Sequence, residues 1–251
     1  MPSKRIAALY DIHGNLPALK AALEEARANG CDSFVFGGDV ASGYMPSETV
    51  SLLMRLRPRA RFVMGNADRE LIRTWDGDEP PAGDIGELAA WAARQLDRQQ
   101  RDFLASFEAV VEYEVVGLGR VLFCHGTPRS DQEIVTPDTP DAVLAEVLET
   151  VTADIVVGGH THMQMVRSVA GTRFVNAGSV GMPYGGTGAF WLLLGPGVDL
   201  RRTPYDLEAA AAAIRATGGP GASAFAAENV LATPSAEEAI EVFERHAGRH
   251  G

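Results

Sequence analysis

Four of the six histidines in this sequence stand where their ring nitrogens could meet a shared ligand. They fall in Asp11-Ile-His13-Gly-Asn15, Cys124-His125-Gly126 and Gly158-Gly-His160-Thr-His162, each just after a short apolar run. Gly38-Asp39 and Gly65-Asn66 close two further apolar runs. Two carboxylates, an amide oxygen and four imidazoles exceed the four ligands of a closed zinc site. They suit two divalent ions roughly 3.5–4 Å apart, bridged by one carboxylate, with open positions for water and substrate. The nitrogen donors favour manganese, iron, cobalt or zinc over magnesium and calcium, which prefer all-oxygen shells. In a tight turn, residues separated by one can point to different sides, so a pair such as His160 and His162 can serve two adjacent ions.

The elements around these residues explain how they would converge. Arg5 to Tyr10 reads as a buried strand, and Leu16 to Asn29 has helical spacing at Leu16, Leu19, Leu23 and Ala26. Asp32 to Phe36 is a second strand, Ser47 to Arg57 a helix and Ala60 to Met64 a third strand. This βαβαβ start implies parallel strands with right-handed crossovers. In such a sheet the carboxyl ends of the strands line the ligand crevice. Asp84 to Leu104 reads as helical, in one or two pieces. Val110 to Val116 and Arg120 to Cys124 form a hairpin across Gly117-Leu-Gly119. A helix over Pro140 to Thr150 and a strand over Asp154 to Val157 follow. The short strands Gln164–Val169, Thr172–Val175, Ala189–Leu194 and Val198–Thr203 are expected to form an antiparallel sheet. The expectation is an α/β (α+β) chain with two packed sheets and helices outside. Residues 1–205 form the main domain, and 206–251 a helical extension packed on it. That extension has a helix from Asp206 to Ala216, a Gly-Gly-Pro-Gly turn and a helix opened by the capping box Ser235-x-x-Glu238.

With 33 acidic and 22 basic residues among 251, the chain carries a net charge of −11. That balance argues against a duplex nucleic acid as partner, since polyphosphate affinity rests on clustered Lys and Arg. Cys31 and Cys124 lack CxxC spacing, so neither a disulfide scaffold nor a zinc ribbon is expected. No apolar run reaches the roughly 18 residues of a membrane span. The apolar stretch after Lys4 and Arg5 is too short for a signal peptide, so a soluble cytoplasmic protein is expected. Cys124 reads as a core residue, and His246 and His250 as solvated.

The order Asp-x-His, Gly-Asp, Gly-Asn, a later strand-end His and Gly-His-x-His resembles the calcineurin-like metallophosphoesterase family. Asp11 to Leu19 and Asn176-Ala-Gly-Ser-Val-Gly181 look like its small single-domain bacterial and archaeal phosphodiesterase branch. The resemblance implies a four-layer αββα double β-sandwich and two divalent or trivalent transition-metal ions (Mn, Fe or Zn). One ion would take Asp11, His13, Asp39 and His162; the other would take Asp39, Asn66, His125 and His160. Asp39, Asn66 and His125 are the candidate catalytic residues. A hydroxide bridging the ions would attack phosphorus in line. The partner is then a small phosphorylated substrate, a phosphodiester or nucleotide. A protein phosphatase and a non-catalytic scaffold on the same fold, like the retromer subunit that has lost ligand histidines, are the alternatives. This chain retains all seven ligands.

Many family members place a histidine after the ligand Asn to protonate the leaving group. Here Ala67 and Asp68 follow Asn66. Asp68 could donate only with a raised pKa, and capping the next helix or pairing with an arginine is its expected role. The departure favours phosphodiesters, nucleotides and activated esters over phosphoproteins. Asn15, Arg129 and Tyr44 are the candidate substrate contacts, with helix capping the stronger expectation for Asn15 and Tyr184 a further candidate wall. The glycine-rich stretch Gly178 to Gly188 lacks the P-loop order and reads as a packed loop near the metal edge.

Overall fold

The computed structural model describes residues 5–249. The first apolar run is β1 (Ile6–Leu9), followed by α1 (Leu16–Ala28), β2 (Ser33–Phe36), α2 (Pro46–Leu56), β3 (Ala60–Phe62) and α3 (Asn66–Trp75). β1 has no polar residue because both its faces are covered. Ile6, Ala8 and Tyr10 face the second sheet, whereas Ala7 and Leu9 face the helices. α1 turns Ala18, Leu19, Ala22, Leu23 and Ala26 inward as one stripe. β1, β2 and β3 pair in parallel, as the βαβαβ pattern requires.

The helical stretch that follows is two helices, α4 (Asp84–Ala93) and α5 (Arg98–Leu104). They are separated by a capping box in which Asp97 and Gln100 satisfy each other's backbone N–H. Next come β4 (Val111–Val115), β5 (Gly119–Phe123), α6 (Asp141–Leu148), β6 (Ile155–Gly158), β7 (Met165–Val169), β8 (Thr172–Asn176), β9 (Ala189–Leu194) and β10 (Val198–Thr203).

The later strands do not form one antiparallel sheet as their short, glycine-bounded pattern predicts. β5, β6 and β8 run parallel, and β4 and β7 join antiparallel at the two edges, giving the order β4-β5-β6-β8-β7. β9 and β10 return to the first sheet, whose order is β10-β9-β1-β2-β3. The reason is burial. Ala189, Trp191 and Leu193 of β9 meet the helix layer, while Leu192 and Leu194 fill the space between the sheets. A strand apolar on both faces needs cover on both, and the open edge of β1 supplies it. On the outer face of the second sheet, Leu122, Val156 and Phe174 pack under Leu144, Val147 and Leu148 of α6, with Cys124 among them. The result is four layers, helix–sheet–sheet–helix.

α7 (Leu207–Ala216) and α8 (Ala222–Phe225) lead into a π-helical turn, Ala226–Leu231. This second helical piece is absent from the sequence expectation, although Ala222, Ala226 and Val230 recur at helical spacing. They pack with Tyr44 and Met45. α9 (Ala236–His246) opens at the expected Ser235/Glu238 capping box. His246 is exposed, and His250 lies outside the described residues. No helix among the described residues is long and apolar enough to cross a membrane.

α9 is fastened by a buried carboxylate. Glu244 accepts from Thr136 Oγ1 at 2.6 Å, Thr139 Oγ1 at 3.3 Å, and Arg249 Nε and Nη2 at 2.6 and 2.8 Å. The Arg249 guanidinium, followed by the two hydroxyls, outweighs burial and holds the Glu244 carboxyl down at about 2. A folded-state value below the unfolded one means that the ionised group stabilises the fold above about pH 4.5, and that this contribution is lost as pH falls toward 2. Glu244→Gln should therefore cost about 1–3 kcal/mol at pH 7. The gap to the wild type should close between pH 4.5 and 2 when unfolding is followed by urea titration; a gap constant across that range would contradict the assignment.

Candidate metal centre

Five strand ends meet at one edge of the sandwich. Asp11 and His13 follow β1, Asp39 follows β2, Asn66 follows β3, His125 follows β5, and His160 and His162 follow β6. Five of these residues hold left-handed backbone: φ is 51° at Asp11, 48° at His13, 51° at Asp39, 66° at His160 and 59° at His162. Non-glycine residues pay about 1–3 kcal/mol each for such conformations, which persist only where the surroundings fix them. Here they are fixed by a ladder continuing past the strands. Asp11 N–H donates to Gly38 O at 3.1 Å and His13 N–H to Asp39 O at 2.9 Å. Gly181 N–H and Ser179 Oγ both donate to Asp11 O. The left-handed turn sends His160 and His162 to different groups, whereas Asp11 and His13 stay in one. The glycines before two of the ligands are explained by closeness. A Cβ on Gly65 would lie 2.1 Å from Asp39 Oδ1, and one on Gly159 would lie 2.5 Å from Asp11 Oδ2.

The side chains form two groups, Asp11/His13/His162 and Asp39/His125/His160, each with ligand atoms close enough to hold an ion. Each carboxylate commits one oxygen to the backbone. His160 N–H donates to Asp11 Oδ2 at 2.9 Å, and Ala67 N–H to Asp39 Oδ1 at 2.8 Å. The other oxygens turn inward. Asp11 Oδ1 is buried without a hydrogen-bond partner, 3.4 Å from His162 Nε2 and 3.9 Å from His125 Nε2. Asp39 Oδ2 lies 3.4 Å from His125 Nε2 and 4.0 Å from His13 Nε2, between the two groups. Asn66 Oδ1 is 3.1 Å from His125 Nε2.

Three of the imidazoles are oriented from behind. Nδ1–H of His13, His125 and His162 donates to the carbonyls of Ser42, Gly37 and Met182 at 3.1, 2.8 and 2.7 Å. That tautomer aims Nε2 into the centre, the usual arrangement behind a metal-ligating histidine. His13 Nε2 and His162 Nε2 face each other at 3.2 Å, a contact of two lone pairs that only a proton or a cation relieves. The charges say the same. Burial opposes ionisation of both carboxylates, but His162 and His125 hold Asp11 low, and His125 and His13 hold Asp39 low. Against burial, Asp39 and Asp11 push His125 up to about 10, and Asp11 raises His162. Burial and a neighbouring histidine lower His160 to about 4 and also lower His13. Beside Asp39, His125 is thus protonated at neutral pH and His160 neutral; beside Asp11, His162 is shifted toward the protonated form and His13 away from it. A buried orphan oxygen, converging Nε2 lone pairs and a mixed nitrogen–oxygen donor set fit a pair of transition-metal ions.

Other expected site residues have different work. Asn15 caps α1 by accepting from Ala18 N–H at 3.3 Å, and its Nδ2 donates to Gly181 O and Tyr205 Oη. Buried and fully bonded, it is a clamp and not a substrate contact. Tyr44 turns away from the centre: it donates to Pro220 O at 2.9 Å and packs on Phe225 and Trp91. Arg129 does stand beside His125, yet its guanidinium is taken by Glu133 and Glu146. Asp68 neither caps α3 nor pairs with an arginine. Its Oδ1 accepts from Val40 and Ala41 N–H at 2.9 and 3.2 Å, fixing the loop that follows Asp39. Burial, then Asp39, pushes its carboxyl up to about 7. Tyr184 stacks on His162 with ring centroids 5.4 Å apart. The unforeseen neighbour is Phe243 of α9, 6.3 Å from the His160 ring and 6.1 Å from Tyr184. Its amphipathic helix was legible, but not where the helix would dock. Thr161 and Asn176 were also missed as supports. Asn176 Nδ2 donates to Gly159 O and Thr161 Oγ1, and Thr161 Oγ1 to Val135 O, bracing the His160–His162 turn.

Residues 5–194 match the model of the calcineurin-like phosphoesterase superfamily domain. The chain is 28% identical over 184 residues to an uncharacterized protein of Methanocaldococcus jannaschii, covering 72% of this chain and 71% of that one. Among solved structures it resembles a metallophosphoesterase from Sphaerobacter thermophilus, at 25% identity and a TM-score of 0.69, over 90% of this chain and 98% of that one. A hypothetical protein from Pyrococcus horikoshii shares the fold at 19% identity and a TM-score of 0.77, over 88% and 97% of the two chains.

Metal uptake at neutral pH should release protons, chiefly from His125, pushed up to about 10, with the raised His162 adding to the release. Affinity should rise with pH; calorimetry in buffers of different ionisation enthalpy reads the proton count, and zero release would contradict the charge pattern. Asp68→Ala strips two buried N–H groups of their acceptor and should weaken metal binding about 10–100-fold. Asp68→Asn, which keeps an oxygen in place, should bind close to wild type in a metal titration.

Proposed function

We propose, since the chain belongs to the calcineurin-like phosphoesterase superfamily, that it is a metal-dependent phosphoric ester hydrolase whose substrate is a small phosphodiester. The observation that carries this reading is the inward oxygen of Asp39, set between His125 of one ligand group and His13 of the other. Asp11, His13 and His162 would hold one ion and Asn66, His125 and His160 the other, with Asp39 shared. A bound pair of manganese, iron or zinc ions supplies Lewis acidity, bringing the ionisation of water toward neutral pH and neutralising phosphoryl oxygens.

The chain's own residues keep that arrangement rigid. Backbone donors at His160 and Ala67 stop the two carboxylates from rotating, so little reorganisation accompanies the reaction. α3 begins at Asn66, and its first-turn N–H groups point their partial positive charge at the anionic site. No histidine follows Asn66, and Asp68, although its carboxyl is raised to about 7, is wholly buried with Oδ1 held by Val40 and Ala41, so neither position supplies an exposed acid beside a leaving oxygen. That favours esters whose alcohols leave readily, such as aryl or nucleotidyl diesters, over serine and threonine phosphoproteins.

Manganese-loaded protein should hydrolyse bis-p-nitrophenyl phosphate and leave phosphopeptides near background. Asp39→Asn and His125→Ala should each lower kcat/KM about 100-fold or more, roughly 3 kcal/mol of transition-state stabilisation. No turnover in the loaded wild type, with His125→Ala indistinguishable from it, would overturn the reading in favour of a non-catalytic scaffold.

A further inference from the structure

A cleft of about 440 Å³ opens beside His125. Met64, Phe107, Ala109 and Pro128 form its apolar lining, and Arg69 and Arg129 stand at its polar side. His125 borders the cleft and also belongs to a ligand group, so the cleft lies beside the centre. Extension past His160 and His162 meets an obstacle. Tyr184 stacks on His162, and Phe243 packs on Tyr184 and approaches His160.

Two arginines near a phosphoesterase centre would suit a second phosphate, but the charges around them argue otherwise. Arg69 is tied to Asp131 by two hydrogen bonds of 2.9 Å. Arg129 donates to Glu133 at 2.8 and 2.6 Å and to Glu146 at 3.2 Å. Three carboxylates thus face two guanidiniums, leaving no positive surplus, and a phosphate would have to displace a carboxylate already in place. The chain's net charge of −11 adds to the repulsion of a polyanion. What the cleft offers is an apolar lining that includes the Phe107 ring, two arginines whose charges are already answered, and a volume within the usual range for small-molecule sites.

Resting on the phosphodiesterase reading above, we propose that this cleft is the subsite for the uncharged, ring-bearing alcohol of a phosphodiester, a nucleoside in type, and that it discriminates against substrates carrying a second phosphate. The substrate class is then a phosphodiester of one nucleoside-like alcohol without further phosphorylation.

Two esters that release the same p-nitrophenolate test this: p-nitrophenyl thymidine 5′-phosphate, and the same compound carrying a 3′-phosphate. The manganese-loaded wild type should show a KM about tenfold lower for the first. Thymidine alone should compete with bis-p-nitrophenyl phosphate. Ala109→Trp, which fills the cleft from an exposed position, should raise KM for the thymidine ester about tenfold while kcat falls less than threefold. Tighter binding of the 3′-phosphorylated ester, an unchanged KM in Ala109→Trp, or no competition by thymidine on the wild type would each overturn the subsite while leaving the phosphodiesterase reading intact. Failure to release p-nitrophenolate from any of the three esters would remove both.

Discussion

Two carboxylates, Asp11 and Asp39, are buried at one edge of the sandwich, and like charges in a low-dielectric site are tolerable only with cations beside them. The centre is organised around that constraint. Each carboxylate is tethered by one oxygen to a backbone N–H and leaves the other free toward the imidazoles. The carboxylates draw protons onto the rings beside them, raising His125 and His162, while burial and the neighbouring rings lower His160 and His13. The same geometry that makes the carboxylates costly to bury makes them available to metal.

The fold supplies the rigidity this demands. Strained backbone at five ligands is held because the loops carrying them bond to one another across the ends of β1, β2 and the Gly178–Gly181 turn. The wall over His160 and His162 is contributed from further along the chain. Phe243 reaches the centre because its neighbour Glu244 is clamped by Thr136 and Thr139, close to Val135, the residue that receives the Thr161 hydroxyl. Residues beyond the family match at 194 thereby shape the surroundings of a site whose ligands all precede it.

The seven candidate ligands were legible because each falls within five positions of the end of an apolar run. The parallel start was legible for the same reason: strand and helix periods alternate cleanly from Ile6 to Met64. The partner of β9 was not. An apolar strand states that both its faces are buried without stating beside which neighbour, and only the vacancy at β1 decides it. Asp68 misled because a carboxylate in the first turn of a helix ordinarily serves that helix, whereas here it reaches across to Val40 and Ala41. Tyr44 misled because its place in sequence, shortly after Asp39, says nothing of which way the ring turns; Pro220 and Phe225 draw it outward. Side-chain direction and long-range docking are tertiary facts, and no local period encodes them.

The return of β9 to lie against β1 has a kinetic consequence. Ile6 completes its sheet only when Leu194 arrives opposite it. Contacts so distant in sequence repay the entropy of closure late, so the molecule should fold slowly for its size. During that interval all seven candidate ligand side chains have already been synthesised while the edge that aligns them is still open. A nascent chain of this topology thus exposes a set of imidazoles and carboxylates before the frame that gathers them is finished.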